Sequence, residues 1–328
     1  MTTVLISMIV LAVIFDFLNG IHDSSNIVAT MIASRAFSPR VALGVTAISH
    51  FIAPFIFGVA VATTIGHEVV AAEAITINVL LAALVSAIIW NLLTWFLGIP
   101  SSSSHALVGG MIGAVGIGAG FDAIELQGME KILLALFISP ILGLLLGFLL
   151  TRLIFFLARG ATPKINIFFK RSQIISAIAL SLSHGTNDAQ KTMGIITLGL
   201  VVTGVIPSFE VPLWVVTISA AAIALGTALG GWKLIKTLGS KFYKIRPVHG
   251  FSSQLTSAFV ILGASIVGGP VSTTQVVSSS IMGVGSADRV NMVRWGVAKE
   301  IMIAWLVTIP ATAAGAAGLY WIGEKIFG

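Results

Sequence analysis

The octapeptide His184-Gly185-Thr186-Asn187-Asp188-Ala189-Gln190-Lys191 lies inside apolar sequence that runs from 174 to 182 before it and from 193 to 206 after it. A carboxylate, a carboxamide and an ammonium are costly at the depth such a run implies, and their presence there marks a functional site by default. The stretch has an echo in Asn19-Gly20-Ile21-His22-Asp23-Ser24-Ser25-Asn26, with Gly20 aligned to Gly185 and Asp23 to Asp188, 165 positions apart. A buried polar motif that occurs twice restricts the fold to one that encloses a polar centre in hydrocarbon.

Charge is too scarce for a water-facing surface. Of 328 residues 57% are hydrophobic and 9% charged, against about 25% charged in soluble domains. The chain is therefore read as a multi-pass membrane protein. Its net charge of +6 fits basic cytoplasmic loops better than a nucleic-acid partner. There is no cysteine, which excludes disulfides and thiolate metal centres. Residues 1–15 lack a basic start and a small-residue cleavage site, and so read as a first membrane helix. No GxxxxGK[ST] sequence is present to bind a nucleotide.

Apolar segments run at 3–34, 41–64, 77–97, 104–120 and 131–151, then at 173–205, 212–230, 251–267, 272–286 and 297–322. A spanning helix needs about 20 residues, so about 10–12 membrane segments are expected. The segments 3–34 and 173–205 exceed one crossing and are each expected to be interrupted, with Gly20, Gly185, Pro100 and Pro270 as break points. A second echo supports duplication: Pro100-Ser101-Ser102-Ser103-Ser104-His105 matches Pro270-Val271-Ser272-Thr273-Thr274-Gln275 at an offset of 170, which Gly113 and Gly283 keep.

Basic residues set the orientation. Arg35 and Arg40 mark the first loop and 65–76 has no Lys or Arg; in the second half 203–211 has none and 233–246 holds Lys233, Lys236, Lys241, Lys244 and Arg246. Arg152, Arg159, Lys164, Lys170 and Arg171 make the central connection basic as well. With basic loops in the cytoplasm, both termini fall outside and each half crosses an odd number of times. The expected fold is thus an all-α transmembrane bundle of two inverted-topology repeats with broken or re-entrant helices. The repeats are 1–160 and 173–328, joined by a basic cytoplasmic connection at 161–172.

Proline followed by a hydroxyl triplet is the composition of a helix start. Ser102-Ser103-Ser104 and Ser272-Thr273-Thr274 either serve as caps and close-packing residues or, as two facing helix starts, donate to a tetrahedral oxyanion. Asp23 and Asp188 would repel such an anion by roughly 3 kcal/mol each at about 5 Å, which calls for cations between them. Asp, Asn and hydroxyl oxygens are hard ligands suited to alkali cations. Lys191 either touches the anion or neutralises Asp188 three residues away; Asn26 takes its place in the first repeat. Gln190 offers an amide donor to the anion or an oxygen to a cation. Asp16 either lines the path or plays a capping or interfacial part. His50, His67 and His249 are scattered and form no metal set. Asp288 near Arg289 and Arg294, and Glu300 beside Lys299, read as interfacial charges; Trp90, Trp95, Trp295 and Trp321 suit an interface belt.

Together these motifs resemble the inorganic phosphate transporter (PiT) family of cation–phosphate symporters. Gly185-Thr186-Asn187-Asp188-Ala189-Gln190-Lys191 is similar to the family's second Gly-x-Asn-Asp signature. Gly20-Ile21-His22-Asp23-Ser24-Ser25-Asn26 is similar to the first, with His22 in the usual asparagine place and Gln275 where histidine is common. The resemblance covers essentially the whole chain. It implies a phosphate transporter of the cell (inner) membrane, not an enzyme, coupled to sodium in some members and to protons or metal–phosphate complexes in others, with no cofactor beyond the coupling ions. The paired Asp–Asn chemistry makes sodium the expected ion, and inverted repeats with midplane carboxylates favour alternating access. Asp23, Asn26, Asn187 and Asp188 would hold sodium; Ser102, Ser103, Ser104, Thr273, Thr274, Gln190 and Lys191 would face phosphate. Membrane lipid and a second copy of the chain are the expected neighbours. Proton coupling through His22, and sulfate or another oxyanion as substrate, stay open. An anion channel is disfavoured by midplane carboxylates, and a hydrolase by the lack of a Gly-x-Ser-x-Gly elbow.

Overall fold

The computed structural model describes residues 2–67, 75–232, 235 and 243–327. Lys233, Lys236 and Lys241, expected in a cytoplasmic loop, lie outside the described residues. Those described form eleven α-helices and no strand. In chain order they are α1 (Thr2–Ala33), α2 (Pro39–Phe57), α3 (Ala60–His67), α4 (Ile77–Leu97), α5 (Ser103–Gly118) and α6 (Leu126–Leu157). They continue with α7 (Ile165–Val202), α8 (Leu213–Leu229), α9 (Pro247–Ile266), α10 (Thr273–Asp288) and α11 (Trp295–Phe327). Five of these, α1, α2, α4, α6 and α11, are long and apolar enough to cross a membrane, and the chain is a multi-pass membrane protein.

Two helices expected to be interrupted are continuous. α1 runs through Gly20 for 32 residues and α7 through Gly185 for 38. The two glycines are there for contact. A β-carbon on Gly20 would stand 2.3 Å from the Ile223 carbonyl oxygen of α8, and one on Gly185 2.8 Å from the His50 Cα of α2. The basic connection also proves shorter than expected, because residues 165–172 already belong to α7.

The breaks lie elsewhere. Gly58, at φ +77°, separates α2 from α3, a break the sequence reading did not anticipate. Breaks at Pro100 and Pro270 occur as expected, each just before the Ser that caps the next helix. Helices α5 and α10 have 16 residues each, about 24 Å at 1.5 Å per residue, which falls short of a hydrocarbon core about 30 Å thick. They are half-helices that begin inside the bundle.

Helix contacts come in matched pairs. α1 packs on α8 and α7 on α2; α6 packs on α10 and α11 on α5; α4 packs on α5 and on α11, as α9 does on α10 and on α6. The glycines that share an offset of 170 do the same work. A β-carbon on Gly113 would meet the Ala313 carbonyl oxygen at 2.0 Å, and one on Gly283 the Leu144 carbonyl oxygen at 2.1 Å. Small residues let membrane helices approach at backbone distance. Helix α6 buries Ser139, Gly143, Gly147 and Thr151 on that seam while Leu142, Leu145, Leu149 and Leu153 face outward, as suits lipid.

Among the expected interfacial groups, Asp288 pairs with Arg246 rather than with Arg289 or Arg294, and His249 Nε2 lies 3.3 Å from it. Tyr243 beside this cluster donates to the Ile281 carbonyl at 2.9 Å. Burial and the Asp288 charge push its hydroxyl pKa up, so it stays a donor. Trp90 donates to Thr308 of α11 at 3.1 Å.

Gly283→Val should lower the melting temperature of the detergent-solubilised protein, at a cost of roughly 1–3 kcal/mol for overpacking. Gly263→Ala, where a β-carbon meets nothing within 4 Å, should leave it unchanged. Equal melting of the two variants would contradict the close seam.

Candidate functional site

Helices α1 and α7 carry the two echoed motifs through the middle of the bundle, and the starts of α5 and α10 come to meet them. Helical spacing turns Asp23 and Asn26 to one face of α1, and His184, Asp188 and Lys191 to one face of α7. Asn26 Nδ2 donates to Asp23 Oδ1 at 2.9 Å, and in the matching position Lys191 Nζ donates to Asp188 Oδ1. The two carboxylates approach each other closely enough that one ligand atom each from Asp23, His184 and Asp188 all lie within 4.8 Å.

The hydroxyl runs complete the centre. Ser103 donates to Asp23 Oδ2 at 3.3 Å, and its counterpart Thr273 donates to Asp188 Oδ2 at 3.1 Å. Thr274 donates to Asp23 Oδ1 at 2.9 Å and receives Asn26 Nδ2 at 2.8 Å. Ser104 donates to the Val271 carbonyl at 2.9 Å. Ser102 and Ser272 cap the two half-helices, accepting from His105 N at 3.2 Å and Gln275 N at 3.3 Å. The side chains of His105 and Gln275 then meet each other at 3.4 Å. Two helix N-termini, each a locus of partial positive charge, thus face a pair of carboxylates. All eleven site residues expected from the sequence are at most 3% exposed.

One of the expected ligands is placed differently. Gln190 is turned to the break between α2 and α3. Its Oε1 accepts from Val61 N at 2.7 Å and Ala62 N at 3.2 Å, and its Nε2 donates to the Gly58 carbonyl at 2.7 Å. Those backbone groups lack helical partners because the chain is broken there, so Gln190 braces a backbone, with its oxygen and one of its two amide N–H groups spent on it. Asn187 donates to Ser265 at 2.9 Å and more weakly to the Gly269 carbonyl, with its Oδ1 unpartnered among the described residues. Asn26 Oδ1 is unpartnered too. Both amides spend N–H on protein and keep an oxygen, which suits a hard cation.

Sequence reasoning missed two histidines. His184 Nδ1 lies 3.0 Å from Asp188 Oδ2; its place four residues before Asp188 was the available signal. His50, read as scattered, stacks on His184 with ring centroids 5.1 Å apart and bonds to Thr227 at 2.8 Å. No local pattern marks it, because α2 reaches α7 only through tertiary packing. Asp16, weighed between lining the path and a capping or interfacial part, is mid-helix and wholly buried, which disfavours the second.

Compared with known proteins, residues 19–316 match the model of the phosphate transporter family. The chain belongs to that family. Relatives include a probable low-affinity inorganic phosphate transporter of Bacillus subtilis, 45% identical with 98% of each chain covered. Another of that description from Rhizobium meliloti is 44% identical, with 98% of this chain and 97% of that one covered. Among solved structures, a sodium-dependent phosphate transporter superposes with a TM-score of 0.91 at 28% identity, covering 99% of this chain and 100% of that one. Phosphate is the substrate of this family, and its members are transporters rather than enzymes.

Gln190→Leu should strand the Val61 and Ala62 N–H groups and the Gly58 carbonyl, each worth roughly 1–3 kcal/mol when buried without a partner. Thermal melting without phosphate should show the loss. Phosphate affinity of the fraction that stays folded should be little changed; a selective loss of phosphate binding would instead return Gln190 to the anion.

Proposed function

We propose that the protein carries inorganic phosphate across the cell membrane by sodium-coupled symport, with the centre at Asp23 and Asp188 exposed to each side in turn. The observation that carries this reading is the meeting of two carboxylates with two half-helix N-termini. A phosphate placed at the helix starts would take the single O–H of Ser103, Ser104, Thr273 and Thr274 as each turns from the partner it has here, with Ser102 supporting them as a cap, and charge from Lys191. It would lie against two negative groups, which a cation must offset. Sodium would bind between Asp23, Asn26, Asp188 and the free oxygen of Asn187. The likeness to a sodium-dependent transporter supports that choice of ion.

Full burial of the centre supports alternating access over an open pore. The matched helix pairs support two repeats divided near 158–164, and the basic residues on either side of that division support a cytoplasmic connection with outward termini.

The test is phosphate uptake into proteoliposomes under sodium and proton gradients imposed separately, with sulfate as competitor. Sodium-driven uptake that sulfate does not inhibit is expected. Uptake driven only by protons would move coupling to the imidazoles beside the carboxylates, His22 at 3.1 Å from Asp23 and His184 at 3.0 Å from Asp188. Asp188→Asn should abolish coupled uptake while leaving a folded protein; full uptake by that variant would sink the assignment.

A further inference from the structure

Between α6 and α11 the bundle carries a cleft of about 330 Å³. Its floor is made by His105 of α5 and by Gln275, Ser279 and Met282 of α10, which recur at helical spacing. Phe137, Pro140 and Leu144 of α6 form one wall, and Trp295, Met302 and Trp305 of α11 the other. The floor begins where the His105 and Gln275 side chains meet, one residue after Ser104 and Thr274, so the cleft adjoins the candidate site. Its walls are tied to that floor. Trp305 Nε1 donates to the Pro100 carbonyl at 3.2 Å, and the Phe137 ring stands edge-on to His105 with centroids 6.4 Å apart.

Length, wall chemistry and charge say what fills such a place. From Trp295 to Leu306 the α11 wall runs about 16 Å at 1.5 Å per residue, close to half of a hydrocarbon core about 30 Å thick. The cleft therefore has the depth of one leaflet's acyl chains, from the middle of the bundle to the end where α11 begins. Close association of membrane helices uses small residues. These walls instead present Phe137, Trp295 and Met302, each partly exposed, and would hold off a helix of a second copy. At the open end the charge is positive. Lys299 lies four residues after Trp295 and three before Met302, on the cleft side of α11, while Glu300 is turned away. Arg152 follows Leu144 by eight residues on the same side of α6, and Arg294 stands just before α11. All three cations are exposed, and none is in an ion pair among the described residues. Basic pockets between membrane helices take anionic lipid headgroups.

We infer that an anionic phospholipid occupies this cleft. Its headgroup phosphate sits among Lys299, Arg152 and Arg294, and one acyl chain runs along Met282 and Ser279 to the His105–Gln275 contact. The chain props the starts of α5 and α10, the two half-helices that carry the hydroxyl runs. This site depends on neither the coupling ion nor the transport cycle.

The test is native mass spectrometry of the detergent-purified protein titrated with phosphatidylglycerol or with phosphatidylcholine of the same chains. The parent should retain one phosphatidylglycerol per chain in preference to phosphatidylcholine. Lys299→Gln should cut that preference about fivefold, the worth of one charge near the surface, and Glu300→Gln should leave it unchanged. Ile141→Trp, at an exposed position lining the cleft, should displace both lipids by filling the space. Equal retention of the two lipids by the parent, or a preference untouched in Lys299→Gln, would overturn the site. So would phosphatidylglycerol held as tightly by Ile141→Trp as by the parent, or a dimer that excludes lipid from the cleft.

Discussion

The structure depends on keeping carboxylates in hydrocarbon. Asp23 and Asp188 are wholly buried, and each is tolerable only because donors surround it. Those donors come from four separate helices. Asn26 and Lys191 arise from the carboxylates' own helices, and Ser103, Thr273 and Thr274 from the half-helices α5 and α10. A half-helix that begins inside the bundle is therefore a requirement of the site. Only there can free N–H groups and hydroxyls be brought to a charge at mid-depth. The proline and the capping serine in each run stop the chain at the right level, and the glycine seams then press α5 and α10 against the long helices α11 and α6.

Much of this was legible in the sequence, for a physical reason. In hydrocarbon a polar residue is expensive, so the few present mark the site directly; Asp23, Asn26, Asp188 and Lys191 stand out against apolar neighbours. Doubling of the motifs disclosed which residues share a part. Ser103 and Thr273, matched by position alone, bind the matching carboxylates.

What failed was the reading of glycine. At Gly20 and Gly185 a glycine beside polar residues suggested a break, yet both helices run on, because a glycine also admits a neighbouring backbone and local sequence does not say which use applies. The true break at Gly58 has no hydroxyl run to announce it, and Pro54, four residues earlier, stays inside α2. His50 was illegible for a related reason: its partner His184 lies on another helix, and only packing brings the rings together.

Gln190 holds Gly58, Val61 and Ala62 from two residues beyond Asp188 on the same turn of α7. A helix interrupted in a membrane is often pictured as a joint. This one is a clamped elbow, its loose backbone ends fastened to the helix that carries the buried carboxylate of Asp188. Whatever shifts α7 must carry the α2–α3 corner with it, so the corner transmits movement in place of absorbing it.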